Sequence, residues 1–254
     1  MLSNDQILQF AKANTLTKHI LQEYFQHEIL DSFFKQNGSI KYSFIGGTAV
    51  RIMYGGQRFS EDLDFDTTDL TSLDNLLQLV IKDMKNKGIE LEFRLIHKGA
   101  YHCYIKFPGV LHTHGLFGYE EEKLLVKFDA TSTNKLRTVS KTLNNYGIFC
   151  RINVADSQVL LAKKLLTIES RKRPKGRDLY DVTFLWGMGE PDLEYLMDNS
   201  GKLLKVILQE LLVYVATLNL PDLAQQTKSF LMKDDDADRI LLFPQFIKQK
   251  LESL

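Results

Sequence analysis

The stretch FIGGTAVRIMYGGQRFSEDLDFD, Phe44 to Asp66, constrains the fold more than any other part of the chain. An apolar, strand-like run ends in Gly46-Gly47, and a short helical pattern from Thr48 to Tyr54 ends in Gly55-Gly56. Leu63 and Phe65 then alternate with Asp62, Asp64 and Asp66, the period of a strand with one face buried. Glycine pairs on both sides of the helical pattern let the backbone turn sharply where a side chain would block it. A strand, a helix and a returning strand in so short a span commit this part of the chain to a mixed sheet.

The surrounding patterns extend that reading. Apolar residues at three- and four-residue steps (Leu16, Ile20, Leu21, Tyr24, Phe25, Ile29, Phe33) predict a core-facing helix over 15–36, ended by Gly38. A strand over 41–45, a helix over 72–87 and strands over 89–96, 101–107 and 123–130 complete a mixed first half. Beyond residue 153 the patterns are helical, as in DSQVLLAKKLLTIE, DLYDVTFLWGM, KLLKVILQELLVYVATL and FPQFIKQKLESL. The fold class read from these patterns is α+β (mixed α/β), with an α/β domain over 1–152 and a helical C-terminal domain over 153–254. No linker of Pro, Gly or Ser separates them.

A chain of 254 residues has room for such a two-lobed core. Lysine plus arginine equals aspartate plus glutamate at 32 each, so no global field selects a nucleic-acid or membrane surface, and any such contact must come from a local patch. Cys103 and Cys150 fit neither a CxxC nor a zinc spacing, which points to a reducing compartment. With no run approaching eighteen apolar residues, the expectation is a soluble, cytoplasmic protein that makes no membrane contact.

The acids and the glycines carry chemistry together. Residues two apart on a strand share a face, so Asp62 and Asp64 set two carboxylates side by side, a repulsive pair that a divalent cation relieves. Hard oxygen donors of this kind suit Mg²⁺. An EF-hand reading of Asp62, Asp64 and Asp66 fails, because Thr67 stands at the required glycine and Leu73 at the bidentate glutamate. A strand that ends in Gly46-Gly47 and turns into a helix offers phosphate the unpaired N–H groups of the helix N-terminus, with the hydroxyl of Thr48 beside them. A phosphate cradle next to a carboxylate pair is what metal-assisted nucleotidyl transfer from an NTP requires.

The run GGTAVRIMYGGQRFSEDLDF resembles the signature of the AbiEii/AbiGii toxin family, a branch of the DNA polymerase β-type nucleotidyltransferase superfamily. The later AKKLLTIESRKRPKGRDLYDV, residues 162–182, is similar to that family's second motif. The resemblance covers about residues 15–190, and its one departure is Val50 in place of leucine. It implies a polymerase β-like nucleotidyltransferase core with a helical C-terminal lobe, and the cleft between the two as the site. Carried over, Gly46, Gly47 and Thr48 hold the β- and γ-phosphates with Arg58 and Ser60 near the same tail. Asp62 and Asp64 hold two Mg²⁺ ions, with Asp129 from a later strand as third carboxylate. The resemblance also makes Arg177 and Asp178 site residues, Asp181 being the other acid of that pair. The biology it implies is a toxin of a toxin–antitoxin or abortive-infection system that transfers NMP to an RNA acceptor, such as the 3′ end of tRNA, or to a protein, and has a cognate antitoxin.

The helical half adds a reading of its own. Helical spacing turns Lys164 inward and leaves Lys163 at the edge of the apolar face, and an inward ammonium needs a carboxylate or a phosphate partner. RKRPKGRD, 171–178, is a basic loop with Asp178 as candidate N-cap, and its cations could steer a polyanion such as RNA. His112 and His114 lack a third ligand at metal spacing, and DDDAD, 234–238, reads as a solvated loop. The competing reading is a nucleotide-binding regulatory module or a partner-binding subunit without turnover.

Overall fold

A computed structural model of the chain describes residues 6, 17–98, 100–113 and 122–254. Two compact units result, one made of the chain up to Met53 with Ser60–Ala155, the other of Tyr54–Phe59 with Asp156–Leu254. The first unit is mixed α/β and the second is helical. Among the described residues no single helix is long and apolar enough to cross a membrane.

The first unit holds helix α1 (Thr17–Phe34), strand β1 (Tyr42–Ile45), helix α2 (Gly46–Tyr54), strand β2 (Asp62–Thr67), helix α3 (Leu73–Asn86) and strands β3 (Glu92–Lys98), β4 (Ala100–Phe107), β5 (Leu124–Ser132), β6 (Thr138–Asn145) and β7 (Ile148–Ala155). The strands form one seven-stranded sheet in the order β3-β4-β5-β2-β1-β7-β6. It is mixed, since β2 runs parallel to β5 and β1 to β7, while the other neighbours are antiparallel. The core face of β2 presents Leu63 and Phe65, and Phe65 stacks on Phe128 of β5 at 4.4 Å with Phe33 of α1 at 5.1 Å. Burying each such ring contributes about 2 kcal/mol or more, which fixes the register of β2 and so the face its aspartates occupy.

The helix expected over 15–36 is α1, with residues 15 and 16 outside the described set. It is buried nearly all round, not along one stripe: Gln22, Glu23, Gln26, His27, Glu28 and Asp31 are all buried. Each has a partner that makes this tolerable. Glu23 takes a salt bridge from Arg51 at 2.6 Å and a hydrogen bond from the Tyr146 hydroxyl at 3.2 Å, and Glu28 accepts from the Tyr24 hydroxyl at 2.9 Å. Lys87 reaches Glu28 at 3.1 Å and Asp31 at 2.9 Å.

The β6–β7 hairpin has no counterpart in the sequence reading. Its two-residue loop is Tyr146-Gly147, both with positive φ (53° and 71°), as the twist of a hairpin prefers. A non-glycine residue there is strained, and packing holds it: the Tyr146 ring lies 5.7 Å from Tyr24 and 4.8 Å from His27.

The second unit comprises α4 (Ser157–Ser170), α5 (Gly176–Trp186), α6 (Leu193–Ser200), α7 (Leu204–Val215), α8 (Leu220–Lys228) and α9 (Phe243–Glu252). Two of these were not foreseen. α6 is capped by Asp192, which accepts from the Tyr195 N–H at 2.7 Å, and α8 by Asn219, with Pro221 in its first turn. The DDDAD run is not an open loop, since Asp234–Ala237 forms a 3₁₀ turn leading into a further turn over Asp238–Leu241, anchored by buried Ala237 and Ile240. The segment Tyr54–Phe59 is fastened here by backbone bonds: the Phe59 N–H donates to the Phe230 carbonyl at 2.7 Å, and the Met232 N–H to that of Gln57 at 3.0 Å.

Candidate active site

In the first unit the site grows out of the β1–α2 turn. Gly46 opens α2 with φ of +79°, a conformation that disfavours any side chain. A Cβ added there would lie 2.2 Å from Oδ2 of Asp64, so the glycine is required twice: by its own backbone and by the carboxylate resting against it. Gly55, with φ of +75°, closes α2 as a left-handed C-terminal residue and turns the chain back toward β2. The hydroxyl of Thr48, expected on a phosphate, is fully buried and donates to the carbonyl of Asp62, fastening α2 to the start of β2. The hydroxyl thus positions the strand.

Asp62, Asp64 and Asp66 alternate with buried Leu63, Phe65 and Thr67, so all three carboxylates share the part-exposed face of the sheet. β5 brings Asp129 into register directly beside Asp64, and Lys127 beside Asp62. On the far side of β5, His102 of β4 stands opposite Asp129 and its Nδ1 lies 2.7 Å from Oδ1. The other carboxylate oxygen accepts from the Lys127 ammonium. Burial works against the charge of Lys127, but the hydrogen bond and attraction of Asp129, with Asp62 adding, raise its pKa above the ordinary lysine value.

Sequence reasoning missed four residues around these acids. Lys127 and His102 are one, a strand-pairing relationship that becomes visible only once β4, β5 and β2 are aligned. The other pair lies on α1: the Gln26 amide donates to the Ser60 carbonyl at 2.9 Å, and the Gln22 amide to the carbonyls of Glu61 at 3.3 Å and Leu125 at 2.9 Å. Ser60 thus meets α1 through its backbone, and these two amides steer the chain into β2 just before the carboxylate pair. A glutamine at i and i+4 on a helix otherwise read as apolar was the only available signal.

Three carboxylates on one face are hard oxygen donors of the kind Mg²⁺ takes, and the ammonium of Lys127 already fills the role of a cation among them. Among the described residues no three His, Cys, Asp or Glu groups converge as a ready-made metal cluster. The donor set fits in type and facing, with Lys127 lying against one of its members. His112 is exposed on a single helical turn, Val110–Thr113, that is anchored by buried Leu111, and His114 falls outside the described residues.

In the second unit a buried ionic network joins Arg58, Lys164, Asp178 and Asp181. Arg58, expected near a phosphate tail, is a buried residue, 3% exposed, whose guanidinium grips Asp181 with two bonds of 2.6 and 2.5 Å. Lys164 faces inward and bridges both acids, at 2.7 Å to Asp178 and 2.8 Å to Asp181. Lys163 lies outside, 5.6 Å over the ring of Tyr195. Arg171 approaches the second oxygen of Asp178 at 2.7 Å. Burial disfavours every charge here; even so, Asp181 and Asp178 hold the pKa of Lys164 above its usual value, and Lys164 with Arg171 holds Asp178 below the ordinary carboxylate range.

Asp178 is not the N-cap of α5. Lys175 takes that place in extended backbone, and Gly176 begins the helix where a Cβ would lie 2.5 Å from the Leu223 carbonyl. Asp178 sits two residues further in, favourable to the helix dipole and aimed at Lys164. Arg177 stacks on Phe230 with its guanidinium carbon 4.3 Å from the ring centre.

Comparison with known proteins agrees with this architecture. The chain resembles JHP933 from Helicobacter pylori at TM-score 0.54 and 18% identity, covering 92% of this chain and 94% of that one. It resembles MenT4, a nucleotidyltransferase toxin from Mycobacterium tuberculosis, at TM-score 0.59 and 17% identity, over 98% and 90% of the two chains. At such identities the likeness is one of fold. Among curated proteins no sequence matches. The model of the family described as "Nucleotidyl transferase AbiEii toxin, Type IV TA system" matches residues 28–246, and with the left-handed glycine turn beside an in-register set of carboxylates, the chain belongs to that nucleotidyltransferase toxin family.

Proposed function

We propose that the protein transfers NMP from an NTP to an acceptor in a Mg²⁺-dependent reaction of the nucleotidyltransferase (EC 2.7.7) type. The observation that carries this is the common face of Asp62, Asp64 and Asp129 beside the glycine turn at Gly46. Asp62, Asp64 and Asp129 would hold one or two Mg²⁺ ions, whose chemistry when bound is to neutralise the triphosphate and lower the barrier to losing pyrophosphate. Gly46 and Gly47 leave the α2 N-terminus open for phosphate oxygens to approach backbone N–H groups. Thr48, Gln22 and Gln26 hold β2 so that its carboxylates keep one geometry.

In the second unit Arg58, Lys164 and Arg171 face Asp178 and Asp181, three cations against two anions. This surplus positive charge, continued by Lys172, Arg173 and Lys175 of the loop, attracts a polyanion and favours RNA, with the 3′ end of tRNA as acceptor, over protein. Such a toxin works in the cytoplasm, where NTP and RNA are held, and its partner is a cognate antitoxin. The test is to incubate the protein with each α-labelled NTP, Mg²⁺, total RNA and cell protein, alongside Asp64→Ala. Label on RNA in the wild type alone supports the reading; label on protein moves the acceptor; no label on anything with any NTP sinks it.

A further inference from the structure

We propose that Lys127 is a resident counter-ion of the carboxylate face, and that its ammonium must leave Asp129 before a divalent cation can bind there. The inference rests on the metal reading above and concerns what this chain does when no metal is bound. Four carboxylates, those of Asp62, Asp64, Asp66 and Asp129, lie on one face of β2 and β5, and like charges so close destabilise the fold unless a cation lies among them. The register supplies one. Lys127 stands opposite Asp62 on the neighbouring strand and two residues before Asp129 on its own, so it points to the same face and its ammonium bonds Asp129.

Three features make this a built arrangement. The salt bridge is part-buried, with the side chains 27% and 19% exposed, so water screens it less than a surface pair. His102 grips the opposite oxygen of Asp129, which leaves the carboxylate a single orientation toward Lys127. The lysine stem is long and unbranched, so the ammonium can swing away while the strand stays in place. A cation arriving at Asp129 therefore competes with an intramolecular one, and the chain trades metal affinity for stability of its metal-free state.

The experiment measures Mn²⁺ binding directly, by the electron paramagnetic resonance signal of unbound Mn²⁺, in the full chain as wild type, Lys127→Met, Asp129→Asn and the double variant. Lys127→Met should bind Mn²⁺ about fivefold more tightly, the upper end of what a part-exposed ion pair contributes. That gain should vanish in the Asp129→Asn background. Thermal melting supplies a second readout: metal-free Lys127→Met should melt below wild type, and Mn²⁺ should raise its melting temperature more than that of wild type. If Lys127→Met is too unstable to isolate, Lys127→Gln takes its place. Wild-type binding with unchanged or weaker affinity in the lysine variants overturns the counter-ion role and leaves the metal reading standing. Absence of Mn²⁺ binding in every protein overturns both.

Discussion

Arg58 and Asp181, 123 residues apart in sequence, meet in two hydrogen bonds of 2.6 and 2.5 Å with both side chains fully buried. The pair ties the segment between α2 and β2 to helix α5 of the second unit, and the carboxylate strand begins only four residues after Arg58. Removing Asp181 leaves the Arg58 guanidinium buried without its carboxylate, whereas Asp181 without Arg58 still has the Lys164 ammonium at 2.8 Å. Asp181→Ala is therefore expected to cost about 3–5 kcal/mol and Arg58→Ala less, while joint replacement by Arg58→Met and Asp181→Leu recovers much of the larger loss. Urea unfolding of the three variants measures this. A single variant as stable as wild type would mean the pair carries no such tension.

Gly46→Ala meets two obstacles at once. The positive φ alone costs about 1–2 kcal/mol, and the added methyl would overlap the Asp64 carboxylate. Stability should fall by more than the backbone term, and nucleotide transfer should fall further still because Asp64 is displaced. Gly55→Ala, where a Cβ has open space despite φ of +75°, should pay the backbone term only. Comparing melting and transfer rates for the two separates conformation from collision.

Thr48→Val removes the hydroxyl that holds the Asp62 carbonyl while keeping the shape of the side chain. A loss of about 1–3 kcal/mol is expected, with Thr48→Ser milder. Nucleotide affinity of the folded fraction should be unchanged in Thr48→Val, as titration with a fluorescent NTP analogue would reveal. A large loss of affinity without loss of stability would return the hydroxyl to the phosphate.

His27 gives a pH dependence. It is 1% exposed, its Nδ1 lies 2.6 Å from the Glu23 carbonyl, and burial, outweighing the attraction of Glu23, lowers its pKa below the ordinary 6.5. The unfolded chain then takes up a proton near pH 6.5 that the folded chain refuses until lower pH. Stability is therefore intact above pH 6.5 and falls as pH drops below it, by up to about 1.4 kcal/mol per pH unit from this one group. Urea midpoints at pH 7.5 and 5.5 should differ less in His27→Gln than in wild type, and equal differences would contradict the assignment.

The cysteines give a chemical test. Burial pushes the Cys103 thiol up to about 12 and the Cys150 thiol up to about 11, so neither forms thiolate readily near neutral pH. Ellman's reagent at pH 8 should react with buried Cys103 only after unfolding, and with part-exposed Cys150 slowly in the native protein. Rapid reaction of Cys103 in the native protein would show that the strand carrying it opens.

How far the sequence speaks depends on how local the signal is. The β1–α2–β2 run was legible because glycine punctuation, helical spacing and alternation all lie within one stretch, and the inward turn of Lys164 followed from helix geometry. The β6–β7 hairpin was not legible: β6 is a largely polar edge strand, and Tyr146 takes the left-handed place usually filled by Asn or Gly. Arg58 could not have been assigned to Asp181 either, because nothing local distinguishes an arginine bound for a phosphate from one bound for a distant carboxylate. Lys127 escaped notice for a related reason: which side chain lies beside Asp62 is a property of strand register, not of spacing along the chain.

The central claim is that Asp62 and Asp64 serve transfer of a nucleotidyl group. It is tested most directly by supplying the same NTP labelled at the α- or the γ-phosphate to wild type and to Asp64→Asn, with RNA and Mg²⁺. The account predicts that α-label reaches the acceptor, that γ-label leaves as pyrophosphate, and that Asp64→Asn remains folded and transfers neither. Transfer of γ-label, or undiminished α-transfer by Asp64→Asn, would contradict it.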